Sequence, residues 1–95
     1  MNDRTSFVFT GVLIKEDEGY SVLCLELDVA SQGETVEEAK KNIIEAVTLY
    51  IETAIESNLP IIRPVPEEDN PLRLTPEKVV ETFNININLE INAYV

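Results

Sequence analysis

The residues best suited to chemistry in this sequence are two carboxylates spaced two positions apart, Glu26 and Asp28. On an extended strand, side chains two positions apart point to the same face, so these carboxylates would lie side by side. Such a pair can bind a divalent metal ion or perform acid–base catalysis. No third or fourth acid is convincingly placed beside them, and we interpret both as surface residues at the end of a strand.

Other catalytic groups are scarce. The chain has no histidine, which excludes imidazole as a general base or zinc ligand. Its single cysteine, Cys24, is flanked by Leu23 and Leu25, which favours a buried and inert thiol. There is no glycine-rich phosphate loop. We therefore predict no enzyme activity, no cofactor and no metal site.

The charge of the chain is strongly acidic. Eighteen acidic and seven basic residues give a formal net charge of −11. Such a field repels nucleic acids and anionic membranes, favours a basic partner and also keeps a small protein soluble. The polar start of the sequence and the lack of a membrane-length apolar run predict a cytoplasmic protein with no membrane association.

The carboxylate pair is positioned by a β-rich first third of a single 95-residue domain. The segment Ser6–Lys15 alternates apolar residues on both phases, which predicts a strand covered on much of both faces. The charged turn Glu16–Gly19 then separates it from a second strand, Tyr20–Leu27, in a hairpin. A short third strand is predicted over Asp28–Gln32.

A long helix follows the strands. Thr35 and Glu38 have the spacing of a capping box, and apolar residues recur at helical spacing as far as Glu56. Asn58 is suited to the left-handed conformation that ends a helix. The connection 59–76 contains all five prolines, and its segment PVPEEDNP, residues 64–71, is predicted to be extended and exposed. A short helix over Pro76–Thr82 is favoured weakly over a strand.

The C-terminal segment 83–95 alternates strictly between apolar and polar residues, which predicts a strand with one dry face. Its 13 residues would span about 43 Å, whereas a compact domain of this size is about 30–35 Å across. The strand either packs on the helix of its own domain or pairs in part with a second copy. We predict a dimer or higher oligomer whose interface includes Phe83, Ile85, Ile87, Leu89, Ile91 and Val95.

The stretch from Gly11 to Glu52 contains Glu18-Gly19-Tyr20, Gln32-Gly33-Glu34-Thr35, Glu37-Glu38-Ala39 and Leu49-Tyr50-Ile51-Glu52. In this order and spacing it resembles the HicB family of toxin–antitoxin systems. The resemblance implies an α+β domain with β-β-β-α-β order, described in the family as a partial RNase H-like fold. It also implies a partner, a small basic HicA-type toxin that cleaves messenger RNA and is inhibited by the antitoxin.

We consider three hypotheses for the function of this protein. The first is an antitoxin-like binding protein, with Tyr20, Glu26 and Asp28 as candidate partner-binding residues. No direct DNA binding is expected, because only one weak helix candidate follows the long helix. The second is a stand-alone oligomeric scaffold without a toxin partner. The third, a metal-dependent nuclease using Glu26 and Asp28, is the least favoured.

Overall fold

The computed structural model describes the backbone of residues 2–92 and the side chains of residues 5–89. Within these residues, one mixed sheet-and-helix domain contains strands β1 (Asn2–Lys15), β2 (Tyr20–Cys24), β3 (Val29–Gly33) and β4 (Val79–Asn92), the long helix α1 (Val36–Glu56) and the short helix α2 (Pro71–Leu74). All three strand pairings are antiparallel, and the order across the sheet is β3-β2-β1-β4. The predicted order of strands and long helix is confirmed.

Helix α1 packs across one face of the sheet. Its branched and small apolar residues recur at helical spacing and are buried, which places them on a single stripe. They meet alternate residues of the strands, which all project to the same face. The core consists of Phe9, Leu13, Val22, Cys24, Leu27, Ala39, Ile43, Val47, Ile51, Ile85 and Ile87.

The ends of α1 follow the sequence predictions. The Thr35 hydroxyl accepts a hydrogen bond from the Glu38 N–H at 3.1 Å, which satisfies one of the free amides of the first turn. Asn58 adopts a φ of 55°, the predicted left-handed conformation. Just before the helix, a Cβ on Gly33 would lie 2.5 Å from the backbone nitrogen of Ala39. Glycine is therefore required where β3 turns into α1.

The opposite face of the sheet is also partly covered. Val12 points away from Leu13 and is nevertheless fully buried. In the proline-rich connection, Pro71 is also buried. The N–H of Arg63 and that of Val65 also donate to the backbone of the turn after β2. The predicted exposure of 64–71 holds for most of this segment, although Pro71 is buried and a 3₁₀ turn forms at Glu67–Asp69. The predicted two-sided burial of β1 holds at Val12 but not at Val8, which is 64% exposed.

The long C-terminal strand has a partner of equal length in its own chain. β1 begins at Asn2 rather than at Ser6, and it pairs with β4 from Asn2↔Asn92 to Ile14↔Val79. The molecule is accordingly elongated, with extents of 50 × 27 × 18 Å. The predicted short helix over Pro76–Thr82 is wrong. Only a 3₁₀ turn forms at Pro76–Lys78, because the strand-favouring Val79 and Val80 extend β4 toward the N-terminus.

The hydrogen bonds of β1 show which residues of β4 direct their backbone groups to its outer edge, the edge that faces away from β1. The Thr10 backbone points toward β2, since its C=O accepts from the Leu25 N–H at 3.0 Å. Backbone direction alternates along a strand, so Phe9 points toward β4, where it pairs with Ile85. The β4 residues that direct their amides away from β1 therefore include Asn84, Asn86 and Asn88. Among the described residues, no strand lies beyond this outer edge of β4.

Candidate protein-binding surfaces

Glu26 is a structural residue and not half of a carboxylate pair. β2 ends at Cys24, so Glu26 and Asp28 lie in the following turn and not on a strand face, as the sequence had suggested. The Glu26 carboxylate accepts two hydrogen bonds from Thr10, from the backbone N–H at 2.7 Å and from the hydroxyl at 2.8 Å. The carboxylate thus accepts hydrogen bonds from β1 beyond the point where β2 ends. Asp28 is exposed and has a φ of 55°.

Replacing Glu26 with alanine should lower the free energy of unfolding by about 1–3 kcal/mol, because a part-buried amide and hydroxyl lose their acceptor. Urea denaturation measures this change. Glu45→Ala, on the exposed surface of α1, removes the same charge and should change stability by less than about 0.5 kcal/mol. Equal effects of the two substitutions would show that the Glu26 hydrogen bonds are unimportant.

The thiol of Cys24 is enclosed in the core. It is fully buried, and burial, assisted by the negative charge of Glu26, raises its pKa from 9.0 to about 11. The folded state therefore favours the neutral thiol. The stabilisation that comes from burying the neutral thiol is present below the pKa of the unfolded state. It is lost as the pH rises above about 9.

Cys24 should resist alkylation. A thiol of pKa about 11 instead of 9.0 holds about 100-fold less thiolate at pH 8, and burial adds a steric barrier. Iodoacetamide labelling followed by mass spectrometry should therefore be at least about 100-fold slower in the native protein than in urea. Comparable labelling rates in the two states would contradict the enclosed position of the thiol.

An acidic concavity lies between the β1–β2 turn and the start of α1. We define it by the carboxylates of Glu16, Asp17, Glu18, Glu34 and Glu38, which line a volume of about 1030 Å³. Tyr20 lines the same concavity and is half-buried, with the Lys15 ammonium 4.7 Å from its ring centroid. Of the three candidate partner-binding residues, the structure therefore places only Tyr20 here, whereas Glu26 and Asp28 lie outside it.

The predicted interface residues of β4 divide into three groups. Ile85 and Ile87 are buried against α1, so their side chains belong to the core of their own domain. Phe83 and Leu89 are partly buried and pack against that core. The side chain of Ile91 and the whole of Val95 lie outside the described residues. What β4 offers to a partner is chiefly its outer backbone edge.

A second concavity was not predicted from the sequence. We call it the apolar groove, and it lies between the C-terminal half of α1 and the chain that follows. Its lining comprises Val29, Ala46, Leu49, Tyr50, Thr53, Ala54, Leu59, Pro60, Ile62 and Arg63, and its volume is about 750 Å³. Two features of the sequence indicate it. Leu49 falls off the buried stripe of α1, and the apolar run Leu59–Ile62 directly follows the helix.

Comparison with known proteins identifies a relative, and the sequence match extends well beyond a single motif. The UPF0150 protein ssr1765 of Synechocystis sp. is 48% identical over 63 residues, which span 64% of this chain and 75% of the relative. The chain belongs to the UPF0150 family. No protein-family model and no solved structure matches it.

The name of the UPF0150 relative states neither a substrate nor a partner. The chemistry of its own surfaces must therefore indicate what this UPF0150 protein binds. Among the described residues, no helix is long and apolar enough to cross a membrane, and no three metal-ligating side chains form a cluster. The surfaces that remain are the acidic concavity, the apolar groove and the outer edge of β4.

Proposed function

We propose that this protein is an antitoxin-like binding protein that sequesters and inhibits a small basic HicA-type toxin. The observation that carries the proposal is the acidic concavity, which is lined by five acidic residues from two separate parts of the chain. The net charge of −11 gives the whole molecule the same sign. Covering a basic, RNA-binding surface with this concavity would exclude RNA by the same electrostatic attraction that binds the toxin.

The fold supports the proposal in its arrangement of elements. A four-stranded sheet with one long helix on one face suits the partial RNase H-like domain that the HicB resemblance implies. The matching motif Glu18-Gly19-Tyr20 and the motif around Glu34 both contribute to the lining of the acidic concavity. Two motifs that match the HicB family thus lie on one surface, although they are far apart in the sequence.

The proposal is tested by titrating a HicA-type toxin from the same genome with this protein. The variant Asp17→Asn, Glu18→Gln, Glu34→Gln removes three charges from the acidic concavity but retains Glu16 and Glu38, whose carboxylates accept structural hydrogen bonds. We expect its Kd to rise at least about tenfold, and the affinity of the natural protein to fall with salt.

The matched control places the same charge change elsewhere. Glu67→Gln, Glu68→Gln, Glu77→Gln alters three exposed carboxylates of the proline-rich connection and of the 3₁₀ turn that follows it. This control should change Kd by less than about threefold, since distant exposed charges are screened. The proposal fails if the natural protein does not bind at micromolar concentration, or if the two triple variants weaken binding equally.

A second candidate function, a stand-alone oligomeric scaffold, is favoured by the outer edge of β4. This edge strand has 14 residues, of which only Glu81 and Glu90 are charged, and it contains no proline. Long edges with few charges are prone to pair with another strand. We propose that β4 pairs antiparallel with β4 of a second copy, so that a two-fold axis joins two sheets.

A further inference from the structure

We propose that the apolar groove is a docking site for an amphipathic helix of a protein partner, whose apolar stripe is flanked by lysine or arginine. This surface is distinct from the acidic concavity, and the inference does not depend on the partner being a toxin. It rests on exposed apolar side chains, a preformed shape and a rim of carboxylates.

Three of the nine large apolar side chains that are exposed among the described residues lie together at this groove. Leu49 is 65% exposed, Leu59 58% and Ile62 57%, and all three line the same concavity. Single exposed apolar residues are ordinary, but a contiguous group indicates an interaction site. Covering these side chains would remove apolar area from water without displacing any part of the chain.

The groove is held open by hydrogen bonds in its walls. The Tyr50 hydroxyl donates to the C=O of Ile61 at 3.1 Å, and the Leu59 N–H donates to the C=O of Ala54 at 2.8 Å. The Arg63 N–H is fixed in the same way on the turn after β2. Small residues, Ala46 and Ala54, form part of the lining and leave room between the walls. A partner would therefore bind a preformed site, which lowers the entropy lost on docking.

The dimensions suit a helix. The α1 residues of the lining run from Ala46 to Ala54, which is about 12 Å along the helix axis. Two turns of a partner helix are about 11 Å long and present three apolar residues at positions i, i+3 or i+4, and i+7. Three anchors of this kind match the three exposed apolar side chains of the groove.

The charges beside the groove indicate which residues the polar face of the partner helix should carry. Glu45 and Glu52 lie four and three positions from Leu49 on α1, and Glu56 lies three positions from Thr53. Side chains at these spacings are neighbours on a helix surface, and all three carboxylates are exposed. They would pair with basic residues on the partner. A second copy would bring like charges together, and an anionic membrane would be repelled.

Arg63 is the only basic residue in the described lining of the groove. Its guanidinium lies 5.7 Å from the centroid of the Tyr50 ring, so its charge is already held by a cation–π contact.

The test uses a fluorescent synthetic helix built from leucine and lysine, with leucine at the i, i+3, i+4 and i+7 positions. We expect Leu49→Ser with Ile62→Ser to raise its Kd at least about tenfold, because both side chains supply apolar contact. Both positions are exposed, so the variant should remain folded, which circular dichroism checks. The control Val8→Ser with Val80→Ser removes two exposed apolar side chains outside the groove and should change Kd by less than about twofold.

Three outcomes would overturn the inference. One is equal weakening by the groove and control variants, and another is equal binding of a peptide with glutamate in place of lysine. The third is a doubled mass that the groove variant abolishes, which would identify a second copy as the occupant. The Asp17, Glu18, Glu34 variant should leave the peptide Kd within about threefold, since its charges lie on the other surface. Failure of the groove and failure of the toxin proposal are therefore separate results.

Discussion

Replacing Ile43 with alanine is expected to lower the free energy of unfolding by about 2–5 kcal/mol. Ile43 is fully buried at the centre of α1 and belongs to the core cluster beneath the sheet. Alanine leaves a cavity that closely packed neighbours cannot fill. Since domains of this kind are stable by about 5–15 kcal/mol, this single change would remove a large fraction of the total.

The next residue provides a matched control for Ile43. Ile44 is 42% exposed, although it has the same side chain and the same helical neighbourhood. Ile44→Ala should therefore cost less than about 1 kcal/mol, because little apolar area leaves water there on folding. Urea denaturation of both variants gives the comparison. If the two cost the same, α1 does not lie on the sheet with the stripe described here.

Introducing proline at Asn86 is expected to separate the proposed dimer. Asn86 is exposed in the middle of β4 and directs its amide to the outer edge, so proline removes a donor that pairing with a second copy would use. In a two-fold arrangement each copy loses this donor, and we expect the dimer Kd to rise at least about tenfold.

Light scattering measures this effect directly. The natural chain should give about twice the 10.7 kDa of one copy, and Asn86→Pro should approach 10.7 kDa. The control Asn86→Thr retains the backbone amide and should retain the doubled mass. A natural chain that remains at the mass of one copy at high micromolar concentration would exclude pairing through β4.

The helix and the alternating strand were predictable because their patterns are local. The Thr35 cap, the apolar stripe ending near Glu56 and the turn at Asn58 all depend on residues within a few positions of one another. The alternation of residues 83–92 likewise identified β4. Its start at Val79 was not predicted, because Pro76 and Glu77 also suit the first turn of a helix, and pairing with β1 prevailed over this preference.

The candidate surfaces were harder to predict because they join distant parts of the chain. Glu34 comes beside Gly19 in the β1–β2 turn only after β3 folds beside β2. Glu26 was misassigned because a continuing apolar pattern concealed the end of β2 at Cys24. The apolar groove depends on the path that the chain takes after Asn58, which the sequence of α1 alone does not specify.

We propose that this protein covers a basic ribonuclease and inhibits it. The most direct measurement is the rate of RNA cleavage by the HicA-type toxin encoded in the same genome, with increasing amounts of this protein. We predict that one equivalent, at a concentration about 100-fold above the Kd, lowers the rate at least about tenfold, and that the Asp17, Glu18, Glu34 variant inhibits less at the same concentration. An unchanged rate in a saturating excess of folded protein would show that this protein does not inhibit the toxin.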